Sequence, residues 1–176
     1  MTLSNRFLTA ALLTQVAWVW ACSSHSTQSS EPAPVPTGIP SLSGLDDATR
    51  QSIELACMMQ KSQGPVAYGS CLDKQINTLR SSPGIPSLAD LDDATRQSIE
   101  LACMMQKSQG PVAYGSCLNK QINTLRGSPG IPSLSGLDDA TRQSIELACM
   151  MQKSQGPVAY GECLRAQLRS IGIQPR

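Results

Sequence analysis

A block of 46 residues beginning at Gly38 recurs almost letter for letter at Gly84 and again at Gly130. The first two copies differ at four positions, Ser43/Ala89, Gly44/Asp90, Asp73/Asn119 and Ser81/Gly127. The third follows the first through Gly161 and then diverges into ECLRAQLRSIGIQPR. A period of this length marks a repeat architecture, in which each copy is one supersecondary unit that shares burial with its neighbours. Whatever one copy folds into, the chain must build three times. Near-identity of this degree marks recent duplication, so repetition alone nominates no functional residue.

Within a copy the pattern is helical. Asp46 is placed to cap free backbone N–H groups, and Asp47 favours the positive end of a helix. The first helix is expected to run unbroken to about Ser62, where Gly64 stops it and Pro65 opens a second, reaching about Arg80. The run Ser81-Ser82-Pro83-Gly84-Ile85-Pro86 ends the second helix and starts the next linker. At 100° per residue, Tyr68, Cys71, Leu72, Ile76 and Leu79 share one face, with Ser70, Asp73, Lys74 and Asn77 opposite. Helix one is apolar on two sides. Ile53, Ala56 and Cys57 form one, and Ala48, Leu55, Met58 and Met59 roughly the other. The first side meets the hairpin partner; the second is left for the next copy or for another molecule.

Each copy carries a Cys-x13-Cys pair: Cys57 with Cys71, Cys103 with Cys117, and Cys149 with Cys163. Cys57 lies seven residues before Gly64 and Cys71 seven after it, so a hairpin folded about Gly64 brings them together. Gly69 and Ala56 keep the surroundings small enough for the close approach that a disulfide needs. Closing a loop of about 15 residues contributes about 3 kcal/mol. A unit of about 35 ordered residues needs such help, because it buries too little surface alone. The fold class expected is therefore all-α: three tandem disulfide-stapled αα-hairpins, as a short solenoid or as beads, over residues 38–83, 84–129 and 130–176.

Residues 1–21 read as an export signal, with Arg6 before an apolar run at 7–21 broken only by Thr9, Thr14 and Gln15. Those 15 residues are too few to span a bilayer comfortably. The end of the run, Val19-Trp20-Ala21-Cys22, resembles a bacterial lipobox, although Trp20 departs from it. The resemblance implies lipidation of Cys22, and Ser23 after it resembles the pattern for delivery to the outer membrane. Residues 22–37, rich in Ser and Pro, make a disordered tether. Of seven cysteines, six pair and the odd one is Cys22, which fits an exported chain in an oxidising compartment. The string Ile-Glu-Leu-Ala-Cys with Gly-Pro-Val-Ala-Tyr-Gly-Ser-Cys-Leu is similar to a short two-cysteine helical module of uncharacterised bacterial envelope proteins. That similarity implies an exported accessory segment and brings no catalytic residue.

Net charge is +1 and aromatics are 3%, with no basic stripe or stacking platform, so nucleic acid is not an expected partner. The single histidine, His25, lies in the tether, which leaves no Ser/His or Cys/His pairing for catalysis. A unit offers two cysteines and no histidine, short of a zinc site. No catalytic residue, metal or cofactor is expected. Candidate partner contacts are the second faces of helix one: Leu55, Met58 and Met59, then Leu101, Met104 and Met105, then Leu147, Met150 and Met151. The expected role is non-catalytic binding or structural work at the cell envelope, with a lipid anchor in the membrane and a protein or envelope partner. Two alternatives stand beside it. One is inhibition of a lysozyme or protease through the tip at residues 61–65. The other is copper handling through Cys-Met-Met.

Overall fold

The computed structural model describes residues 38–174. The segments expected to be an export signal and a tether, with Cys22 between them, lie outside these residues. Among the described residues every regular element is helical, in three equivalent sets: α1 (Asp47–Ala56), α2 (Met58–Lys61) and α3 (Pro65–Arg80); α4 (Asp93–Ala102), α5 (Met104–Lys107) and α6 (Pro111–Arg126); α7 (Asp139–Ala148), α8 (Met150–Lys153) and α9 (Pro157–Ser170). Each set is a hairpin with its own disulfide, and in all three the paired Cα atoms stand 5.7 Å apart.

The helix ends form for the reasons the residue types dictate. Asp46, Asp92 and Asp138 are the N-caps, each accepting at 3.0 Å from the backbone N–H three residues on, at Thr49, Thr95 and Thr141. Such a cap contributes about 1 kcal/mol. Gly64, Gly110 and Gly156 make the hairpin bend at φ of 106°, 112° and 118°, where a side chain is strained, and a proline follows each as the first helical residue.

Helix one departs from the expected unbroken course. It divides at Cys57, whose φ of −100° and ψ of 6° lie outside the helical well, and the same break recurs at Cys103 and Cys149. No glycine or proline lies within residues 47–61, so the usual sequence cause of a kink is missing. The break falls on the half-cystine itself. It does so in all three copies, at the cysteine nearer the N-terminus of each pair. Hydrogen bonds still cross it, from Cys57 N–H to Ile53 O at 3.0 Å and from Lys61 N–H to Cys57 O at 3.1 Å.

The linkers are not slack. Each copy's first residues lie as an arm over its own hairpin, so Ile85, Leu88 and Leu91 pack on the core of Ile99, Cys103, Tyr114 and Leu118. Copy one does the same with Leu42 and Leu45 on Ile53, Cys57 and Leu72, and copy three with Ile131, Leu134 and Leu137. Gly69, Gly115 and Gly161 serve this arm as well as the disulfide. A Cβ at Gly115 would lie 3.2 Å from the Gly84 carbonyl oxygen, and one at Gly69 would lie 3.3 Å from that of Gly38. Three small cores result, one per copy.

The copies stack, which decides between solenoid and beads. The described residues all belong to one compact unit. The Ser52 hydroxyl, buried on α1, donates to the Lys107 carbonyl of the next copy at 2.9 Å, and Ser98 repeats this to Lys153 at 2.9 Å. Lys107 Nζ donates to Gln51 Oε1 and Lys153 Nζ to Gln97 Oε1, each at 3.1 Å. Gln75 presses on Gly110 so closely that a Cβ there would stand 2.2 Å from its Oε1; Gln121 does the same to Gly156 at 2.3 Å. The hairpin tips of copies two and three are thus seated on the copy before, on α1 and α3 and on α4 and α6 respectively.

Candidate functional site

Stacking leaves a groove along one side of the array. Its middle section, about 870 Å³, is lined among others by Gln51, Leu101, Met104, Lys107, Tyr114 and Met150. A section of about 630 Å³ continues along Leu147, Met150, Lys153 and Tyr160, and one of about 340 Å³ along Leu55, Met58, Lys61 and Tyr68. Each copy therefore supplies the same Leu, Met, Lys and Tyr. The lysine Nζ lies over the tyrosine ring of its own copy, 5.5 Å from the centroid for Lys61 and Tyr68. The other two pairs repeat this at 5.6 and 5.5 Å. Glu54, Glu100 and Glu146 line the same sections, so the groove is apolar along its length and mixed in charge.

The methionine pairs divide here. Met58, Met104 and Met150 line the groove and remain 57%, 57% and 55% exposed. Met59, Met105 and Met151 are over 70% exposed and line none of its three sections. Neighbouring helical residues diverge by about 100°, and that separates them. The leucines fall between. Leu55 and Leu101 are partly covered, while Leu147, with no copy after it, is 68% exposed. The second apolar face of helix one is thus met by the next copy at its leucine and left open at its methionines.

Burial pushes the Tyr114 and Tyr160 phenols above their ordinary value, with the charges of Glu100 and Glu146 adding to it. The capping carboxyls move the other way. Asp46 is held below its usual range by the side-chain and then the backbone hydrogen bond of Thr49, and Asp138 by those of Thr141, backbone first. For Asp92 burial pulls upward, and the bonds from Thr95 outweigh it.

All six cysteines of the copies are in disulfides, and Cys57, Cys103 and Cys149 are fully buried. No thiolate remains there for metal or redox chemistry. Among the described residues no three His, Cys, Asp or Glu side chains converge as a metal site requires, and no helix is long and apolar enough to cross a membrane. In the hairpin tip considered for enzyme inhibition, the Ser-Gln is exposed in every copy, whereas the proline after it is exposed only at Pro65; Gly110, Pro111, Gly156 and Pro157 are buried.

Sequence reasoning missed the residues that join the copies. Gln51, Ser52 and Gln75, with their counterparts Gln97, Ser98 and Gln121, are polar, and reading only for apolar faces passes over them. The Lys61 and Tyr68 pairing spans the Gly-Pro bend, so it lies on no single helical wheel. Comparisons with protein-family models, with curated proteins and with solved structures find no match.

Proposed function

We propose that the protein is a non-catalytic lipoprotein of the bacterial cell envelope, holding a three-fold repeated groove out on a tether to bind a protein partner. The observation that carries this is the register of the groove, in which Leu55/Met58, Leu101/Met104 and Leu147/Met150 recur on one side of a stacked array. Methionine supports the reading because its unbranched thioether adapts to irregular apolar surfaces. Three equal contacts on one rigid body convert weak single-site affinity into avidity. The fitting partner is an elongated segment with apolar residues along one edge and little net charge, since lysines and glutamates share the groove.

The disulfides accord with export to an oxidising compartment, and the lipobox-like Cys22 supplies the anchor in this reading. The test is retention of envelope proteins by the oxidised chain, compared with the triple variant Met58→Gln, Met104→Gln, Met150→Gln. Loss of about 2 kcal/mol per buried methionine, shared over three sites, lowers retention by 100-fold or more. Equal retention by both proteins removes the groove from the function.

A further inference from the structure

We infer that the two ends of the stack are the two halves of one joint, so that the chain assembles head to tail with further copies of itself. Inside the molecule the joint is made twice. At the first joint Lys107 and Gly110 meet Gln51, Ser52 and Gln75, while Ile85, Pro111 and Tyr114 on the donor side and Thr49 on the receiving side are more buried than their counterparts at the ends; copy three meets copy two in the same way. Among the described residues both faces recur unpaired at the ends, with every one of those residues kept.

The donor half at copy one consists of Ile39, Lys61, Gly64, Pro65 and Tyr68. Pro65 is exposed where Pro111 and Pro157 are fully buried, and Val66 and Ile39 are 59% and 54% exposed where their counterparts are half-buried. A Cβ at Gly64 would meet nothing, whereas at Gly110 it meets Gln75. The receiving half at copy three consists of Thr141, Gln143, Ser144 and Gln167. Ser144 is exposed where Ser52 and Ser98 are fully buried.

The divergence of copy three spares this face. It changes α9 at Glu162, Arg165, Ala166, Leu168, Arg169 and Ser170 but keeps Gln167, and Arg165 is engaged with its own arm, donating to the Gly130 carbonyl at 2.7 Å. Repeat arrays that stay single carry end units with altered, polar outer faces. Among the described residues neither end is altered at the positions that make the joint. An interface whose halves lie on opposite ends is heterologous, and repeated addition extends it into an open filament unless the rotation closes a ring.

The test is sedimentation velocity of the exported, oxidised full chain in detergent. Concentrations run from about 1 μM towards the millimolar effective concentration that a short linker confers inside the chain. The wild type is expected to sediment as a concentration-dependent series of chain multiples. Pro65→Glu blocks the donor half and Ser144→Glu the receiving half; both positions are exposed, so the fold and its melting temperature are kept. Each variant alone is expected to associate at least about 100-fold more weakly, because docking would bury an unpaired carboxylate. Mixed one to one, the variants still hold one intact donor and one intact receiver, and they are expected to form dimers and nothing larger. A wild type of single size throughout, as when residues before Gly38 cover the donor half, overturns the inference. So does either variant assembling like the wild type, or a mixture that yields no dimer.

Discussion

Copy one and copy two are the same sequence at the hairpin bend, yet the bend is open in one and closed in the other. Gly64 and Pro65 face outward, while Gly110 and Pro111 lie under the first copy's α1 and α3. The reverse holds at the other end. Ser98 is fully buried beneath copy three, and Ser144, in an identical helix, is exposed. Environment in a stack is set by position in the array rather than by the residue, and a burial pattern read from one copy is incomplete without its neighbour. Energies follow the same rule, being a sum of what each unit holds within itself and what each joint adds.

The largest effect tests what is common to all copies. Replacing Cys103 and Cys117 together with serine removes a crosslink worth about 3 kcal/mol. Because copy two is held from both sides, its loss is expected to uncouple the array and split one thermal transition into two, as seen by calorimetry. The same change at Cys149 and Cys163 is expected to leave copies one and two melting together.

The next effect isolates the joint. Gly110→Ala and Gly64→Ala force the same left-handed strain, about 1 kcal/mol. Only the first also drives a methyl into Gln75, and that overpacking adds about 1–3 kcal/mol. Chemical denaturation is expected to show Gly110→Ala as the more destabilised by that difference. Equal losses would mean that the bend of copy two is as open as that of copy one.

A smaller difference is expected between Ser98→Ala and Ser144→Ala. The first leaves the Lys153 carbonyl without its 2.9 Å partner and costs about 1 kcal/mol; the second removes a hydroxyl from the surface and costs almost nothing. Smallest is the acid response of the caps. Asp46, Asp92 and Asp138 have folded-state values below their unfolded ones, so between the two the unfolded chain binds more protons. Their contribution is complete above about pH 4 and is lost as the pH falls through the folded values. Asn at all three positions keeps the caps but is expected to flatten that part of the stability profile in acid melts.

Much of the unit was legible because its signals are local. The capping aspartates, the Gly-Pro bend and the spacing of Cys57 and Cys71 about Gly64 each act within a few residues, and each formed as expected. The break at Cys57 was not legible, since no glycine or proline marks it and a half-cystine is not a helix-breaking residue type. Residues 84–91 read as a linker because Pro and Gly dominate their start, whereas Ile85, Leu88 and Leu91 turn them into part of the core. The candidate site was half visible. Two apolar sides on helix one predict that something packs there, but the wheel cannot say that Met58 lines a groove and Met59 does not.

The claim on which the rest depends is that the copies are seated on one another through the serine face. Its most direct measurement is the rate at which a thiol reagent labels Ser98→Cys and Ser144→Cys, compared at low micromolar protein so that chains do not associate. The two sites have identical flanking sequence for seven residues before and seventeen after. Stacking predicts that the cysteine at 98 reacts only after an opening of about 3 kcal/mol, and so about 100-fold more slowly than the one at 144. Equal rates would contradict the account and return the protein to three independent beads.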